Sequence, residues 1–125
     1  MSRNDKSVRN AAEDRKAAAW KAGGTNVFAD LGLPNPERAL VKAKLAHAIG
    51  VRLEAAGLSQ AAAAERLGID QPKVSAIKRG RLSEFSVERL MKFLTKLDAD
   101  VEIRVRPHRG AGRAAIRVHE EIVRA

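Results

Sequence analysis

Apolar residues recur at every fourth position behind Asn35 and Pro36, and this spacing predicts a long amphipathic helix. Asn at the N-cap and Pro at the first helical position are typical of a helix start. Gly57 is expected to end the helix as a C-terminal cap. The residues predicted to form its buried stripe are Val41, Leu45, Ile49 and Leu53.

Two short helices are predicted next, separated by a glycine. Ser59 is the expected cap of the first, which ends at Gly68. Asp70 is the expected cap of the second, which ends at Gly80. Gly68 lies where the tight turn requires a positive φ, which glycine adopts without strain. Pro72 is compatible with this assignment because it falls in the first turn, where no intrahelical hydrogen bond is lost.

A fourth helix and then a strand complete the predicted elements. Ser86 is the expected cap of the helix, whose buried face is predicted to contain Leu90, Phe93, Leu94 and Leu97. Residues 98–100 are interpreted as a turn. Residues 101–106 then alternate strictly between apolar and charged side chains, which predicts a half-buried strand ended by Pro107.

The apolar residues of this strand are Val101, Ile103 and Val105. A lone strand at the end of a helical domain has no obvious partner, and an unpaired edge exposes backbone donors and acceptors. We therefore expect it to pair with the same strand of a second copy and to hold a symmetric dimer. The alternative is that these three side chains complete the core of their own chain.

The flanks of the predicted domain are polar or basic. We expect a mobile N-terminal arm at 1–24, a helical domain with its strand at 25–107, and a basic tail at 108–125 in which Glu120 and Glu121 have no partner. Segment 15–33 is predicted to contact a protein partner, because Trp and Phe often anchor interfaces. Its large apolar residues are Trp20, Val27, Phe28, Leu31 and Leu33. The alternative is that Phe28 and Leu31 only cover the base of the bundle.

Charge changes this picture by suggesting a polyanionic partner. The 125 residues include 24 Lys and Arg against 15 Asp and Glu, which gives a net charge of +9. The four aromatic residues are scattered, whereas binding of single strands requires grouped aromatic platforms. We therefore expect double-stranded DNA as the partner. No apolar run is long enough for a membrane span or a signal peptide, so we expect the bacterial cytoplasm.

Candidate catalytic and metal chemistry is weak throughout the chain. There is no cysteine, which excludes thiol nucleophiles and thiolate metal sites. His47, His108 and His119 are far apart and have no ligand-like neighbours, and no nucleophile–base pair or phosphate-binding glycine loop is present. We therefore predict neither an enzyme nor a bound metal or cofactor.

The two short helices and their glycine turn are typical of a helix-turn-helix, in which the second helix lies in the major groove. Ala64 stands where the helices touch, and Ile69, Val74 and Ile77 stand where the second packs back on the first. Gln71 is predicted to read adenine through its amide, and Gln60 to bind a phosphate. Lys73 is predicted to reach a guanine edge or a phosphate. The predicted DNA-binding residues are Gln60, Gln71, Pro72, Lys73, Ser75, Lys78, Arg79 and Arg81.

Residues 58–80, LSQAAAAERLGIDQPKVSAIKRG, together with FSVERL at 85–90, resemble the Xre/Cro/C1 family of helix-turn-helix regulators. The flanks NVFADLGLP at 26–34 and DVEIRV at 100–105 resemble HigA-type antitoxins. The resemblance implies an all-α, lambda-repressor-like bundle whose third helix reads an operator. It also implies a repressor that neutralises a RelE/HigB-like toxin encoded by an adjacent gene. The alternative is a stand-alone or prophage-type Xre regulator that has no toxin partner.

Overall fold

The computed structural model describes residues 35–121, in which four helices pack around one core. They are α1 (Pro36–Ala55), α2 (Gln60–Leu67), α3 (Gln71–Arg79) and α4 (Val87–Lys96). The predicted arm at 1–24, the apolar cluster at 27–33 and the last residues of the tail, 122–125, lie outside the described residues. None of the described helices is long and apolar enough to cross a membrane.

Each of these helices begins at the predicted N-cap residue, which confirms all four predicted starts. In every case the cap side chain accepts a hydrogen bond from the backbone N–H three residues later, at 3.0–3.1 Å. The caps are Asn35, Ser59, Asp70 and Ser86. Each such bond stabilises a helix by about 1 kcal/mol, because it satisfies a donor that the helix leaves unpaired.

The core forms where α1 packs against α4 and α3. The predicted stripe on α1 is buried, and so are four alanines on the same helix that the spacing of large residues did not mark. Small side chains let neighbouring segments approach closely, so α1 is buried over a wider arc than predicted. These alanines are Ala39, Ala43, Ala46 and Ala48.

An aromatic cluster closes the core beside α4. The rings of Phe85 and Phe93 meet edge to face, with centroids 6.0 Å apart. The guanidinium of Arg89 lies 5.2 Å and 5.5 Å from the two centroids. Through this cation–π contact the guanidinium covers the aromatic cluster. It remains accessible to solvent, because Arg89 is half-buried.

Lys42 is the buried charged residue of the described core. It is only 3% exposed, and its Nζ donates to the Leu82 carbonyl at 3.5 Å. Burial of an amine is costly unless its donors are satisfied. The contact therefore connects α1 to the loop between α3 and α4, across 40 positions of sequence.

The turn between α2 and α3 has the predicted left-handed glycine. Gly68 has φ 73° and ψ 32°, and the N–H groups of Gly68 and Ile69 both donate to the Ala64 carbonyl. The prediction for Gly68 is confirmed. The turn places the N-terminus of α3 immediately after the end of α2 and so fixes where α3 begins.

The C-terminal ends of α2 and α4 hold each other through a reciprocal clasp formed by Arg66, Leu67, Lys96 and Asp98. Lys96 Nζ donates to the Leu67 carbonyl at 3.1 Å. Arg66 Nε donates to the Lys96 carbonyl at 2.9 Å, and its Nη2 lies 2.8 Å from Asp98 Oδ2. Each helix thus provides a cation to the carbonyl end of the other, where the helix dipole favours positive charge.

The predicted strand at 101–106 is not formed in the described chain. A strand requires a second strand for its ladder, and no segment within 35–121 pairs with it. Val101 is half-buried and packs on the core, whereas Ile103 is 76% exposed and Val105 is 94% exposed. Within one chain, therefore, only Val101 helps to complete the core.

The tail returns to the body of the domain, which contradicts the expectation that Glu120 has no partner. Its Oε2 lies 3.2 Å from His47 Nδ1 on α1, and the nearby Val118 packs against the core. The ring Nε2 of His108 lies 3.1 Å from the Gly112 carbonyl. Residues 107–121 thus have no helix or strand, yet they contact the domain 73 positions away in sequence.

Candidate DNA-binding surface

The inner face of α3 determines which of its side chains can meet DNA. Val74 is 0% and Ile77 1% exposed, and both pack into the core that α2 also lines. Ala64 is 6% exposed on the facing helix, as the predicted contact between the two helices requires. These burials confirm the predicted inner face and fix the rotation of α3 about its axis.

The outer face follows from that rotation, because successive helical residues turn by about 100°. Pro72 and Arg79 project most directly away from the two buried residues, and Ser75, which is half-buried, lies about 50° to one side. Gln71 and Lys78 lie at one edge, in a row with Ser75. The structure therefore places five of the predicted DNA-binding residues on one continuous face.

Lys73 does not belong to this row. The same rotation places it at the opposite edge of α3, next to Ile77, and it is half-buried. Its predicted guanine contact would have to be made from that edge, so a phosphate is the more accessible of its two predicted ligands.

Gln60 connects the N-termini of α2 and α3. Its Nε2 donates to the Gln71 backbone carbonyl at 3.2 Å. A glutamine amide has two N–H donors, so this bond is compatible with a second bond to a phosphate. Gln60 therefore fixes the position of Gln71 in addition to its predicted role.

The end of α3 concentrates positive charge. Residues 71–81 include four cations and no acid, and Lys78, Arg79 and Arg81 are exposed. Gly80 ends the helix at φ 76°, and the Arg81 N–H then donates to the Ala76 carbonyl at 2.8 Å. This left-handed cap places Arg81 beside the last turn of α3, where cations suit phosphate contacts.

Two comparisons with known proteins fit this geometry. A family profile described as a helix-turn-helix domain matches residues 27–106. The chain belongs to this helix-turn-helix domain family. A solved structure named as an XRE family transcriptional regulator is 48% identical, with a TM-score of 0.61, and the match covers 69% of this chain and 100% of that one. A search of curated proteins finds no match. Both findings support a DNA-binding regulator of the Xre type.

One candidate contact of this helix-turn-helix protein was missed at the sequence level. Ala76 lies beside Pro72 and Arg79, on the side towards Lys73, and it is half-buried because it packs partly against the core. A methyl group there suits the C5-methyl of thymine, which alanine side chains contact in the major groove. The sequence could have indicated this contact if the rotation of about 100° per helical residue had been followed for apolar residues as well as for polar ones.

The histidine and acidic side chains of this helix-turn-helix protein were compared with the geometry that a metal ion requires. Within that range no group of three or more His, Asp or Glu side chains is arranged to hold a metal ion. Ser59 and Ser86 are occupied as helix caps, as predicted.

Proposed function

We propose that this protein is a sequence-specific transcriptional repressor that binds operator DNA as a homodimer. The observation that carries the proposal is the outer face of α3, where Gln71 shares an exposed face with Lys78 and Arg79. Val74 and Ile77 hold the helix in place from its inner face. Glutamine amides pair with the N6 and N7 edge of adenine, and the neighbouring cations suit phosphates.

A homodimer is supported by the segment that follows α4. Ile103 and Val105 alternate with charged residues and are almost fully exposed in one chain. Pairing with the same segment of a second copy would cover them and supply the missing ladder. Two-fold symmetry would then place two α3 helices on one side of the DNA, about 34 Å apart.

Selection from a pool of random duplexes tests the repressor proposal. We expect the selected sequences to contain two inverted half-sites whose centres are about 10 base pairs apart, or a multiple of that spacing. A single half-site without symmetry would contradict the dimer, and the absence of any enriched sequence would contradict sequence-specific binding.

We further propose that the operon is a type II toxin–antitoxin operon, with this chain as its autoregulating antitoxin. The supporting feature is the pair of flanking sequences at 26–34 and 100–105 that resemble HigA-type antitoxins. The test is co-expression with the product of a neighbouring reading frame that encodes a small RelE/HigB-like ribonuclease. Co-purification and loss of toxicity are expected. A genome without such a frame would favour the stand-alone Xre regulator.

A further inference from the structure

The segment from 104 to 117, called here the arginine loop, is a second positively charged segment, outside the helix-turn-helix in sequence. All its charged residues are arginines and all are exposed; no acid occurs between 103 and 119, and at the start of the loop Arg104 lies 3.5 Å from Glu102. The helix-turn-helix, by contrast, mixes Lys and Arg. The loop arginines are Arg104, Arg106, Arg109, Arg113 and Arg117.

The arginine loop is held at both ends. Before it, Val101 packs on the core; after it, Val118 packs on the core and Glu120 contacts His47 at 3.2 Å. Between the two ends, His108 lies 3.1 Å from the Gly112 carbonyl across a glycine turn. A segment already held in place loses less conformational entropy when it binds a ligand.

We propose that the arginine loop binds phosphates of duplex DNA, separately from the bases that α3 would read. A guanidinium presents a planar fork that matches two phosphate oxygens, so arginine is better suited to this ligand than lysine. The alternative ligand is an acidic protein surface, which the two exposed large apolar residues of the loop, Val105 and Ile116, would help to anchor. Five arginines among the 14 residues of the loop favour phosphates. The proposal rests on duplex binding by the chain but not on base reading by Gln71.

The test compares two double variants that each remove two positive charges. Arg113→Gln with Arg117→Gln removes two of the five loop arginines. Arg38→Gln with Lys92→Gln removes two exposed cations on α1 and α4, of which Lys92 lies 3.7 Å from Glu88. The probe is a random-sequence duplex of about four helical turns, and Kd is measured against salt concentration. Each lost phosphate contact reduces the slope of log K against log salt by about 0.9, so the loop variant should lose about 1.8. The control should leave the slope nearly unchanged.

Equal reductions in the two variants would overturn the proposal, because they would show a general effect of net charge. An unchanged slope in the loop variant would also overturn it and would direct attention to an acidic protein. Thermal melting of both variants verifies that they fold. A wrong assignment of base reading to Gln71 is distinguishable from a failure of the loop proposal. It would alter the ratio of operator affinity to random-duplex affinity and leave the salt slope on random duplex unchanged.

The variant Glu120→Ala distinguishes a loop that is held against the domain from a tail that acts only through its charge. The change removes a negative charge, so general electrostatics predicts tighter binding to the random duplex. Loss of the contact with His47 predicts weaker binding, because the loop must then be ordered on the DNA. Weaker binding supports the proposal, and tighter binding contradicts it.

Discussion

The side chain of Gln60 shows how one residue can prepare a surface for its ligand. Its amide holds the Gln71 carbonyl at 3.2 Å, so the first turn of α3 is tied to the start of α2 before any DNA is present. An amide already fixed by such a bond does not have to be ordered on binding. Through this one bond Gln60 stabilises the fold and positions Gln71, the predicted base-reading residue.

Replacement of Gln71 tests base reading. Gln71→Ala is expected to weaken operator binding by about 1–3 kcal/mol and to change random-duplex binding little, because it removes a base contact. The measurement is a pair of binding titrations on the selected operator and on random duplex.

Arg79→Ala is the matched comparison on the same helix face. It should weaken binding to both duplexes and reduce the salt slope by about one, as expected for a phosphate contact. An unchanged ratio of operator to random affinity in Gln71→Ala would show that another residue reads the bases.

Two glycines of contrasting conformation give a stability test. Gly68→Ala places a side chain at φ 73°, so we expect a loss of about 1–2 kcal/mol in the free energy of unfolding. Its added Cβ would lie 3.5 Å from Lys96 Nζ, an ordinary contact, so the cost comes from the backbone.

Gly50→Ala is the control, because Gly50 lies within α1 and an added Cβ there meets nothing within 4 Å. It should stabilise the protein by about 0.5–1 kcal/mol. Denaturant melts of both variants provide the measurement, and equal changes in the two would refute the assignment of strain to Gly68.

At the scale of elements, the predictable features are the local ones. Caps, glycine ends and the apolar stripes of α1 and α4 depend on residues three or four positions apart, so the sequence alone identifies them. The reciprocal clasp connects residues about 30 positions apart, and Lys42 reaches Leu82 across 40. No local spacing marks such contacts. The alternation at 101–106 is a strand pattern, but no segment within residues 35–121 pairs with it.

Disruption of segment 101–106 tests the proposed dimer. Ile103→Pro removes a backbone N–H from the proposed ladder and should shift the protein towards monomer. Analytical ultracentrifugation gives the oligomeric state. Ile116→Pro is the control, because Ile116 is also exposed but lies outside this segment. A dimer that survives Ile103→Pro would place the interface on another surface.

For the whole molecule, reading DNA and binding a toxin are predicted to use separate parts of the chain. The family match begins at 27, and the described helix-turn-helix lies within 35–81. The predicted partner contacts at 15–33 precede most of this region. The candidate DNA-binding residues on α2 and α3 were therefore predictable from the sequence. The contact of the tail with α1 was not, because no periodic pattern marks it.

Removal of residues 1–24 tests this division. We expect operator affinity to stay within a few-fold and capture of the neighbouring toxin to weaken, since Trp20 is lost while the helix-turn-helix is retained. Titration of operator and pull-down of the toxin provide the two measurements. Equally tight toxin capture by the truncated protein would move the docking surface to the folded domain.

The contact between His47 and Glu120 also has a consequence for refolding. It joins residues 73 positions apart, whereas the clasp and the Lys42 contact join residues 29–40 positions apart. Because closing a longer loop costs more conformational entropy, we expect this contact to form after the described helices have packed. The arginine loop would therefore be the last part of the described domain to close.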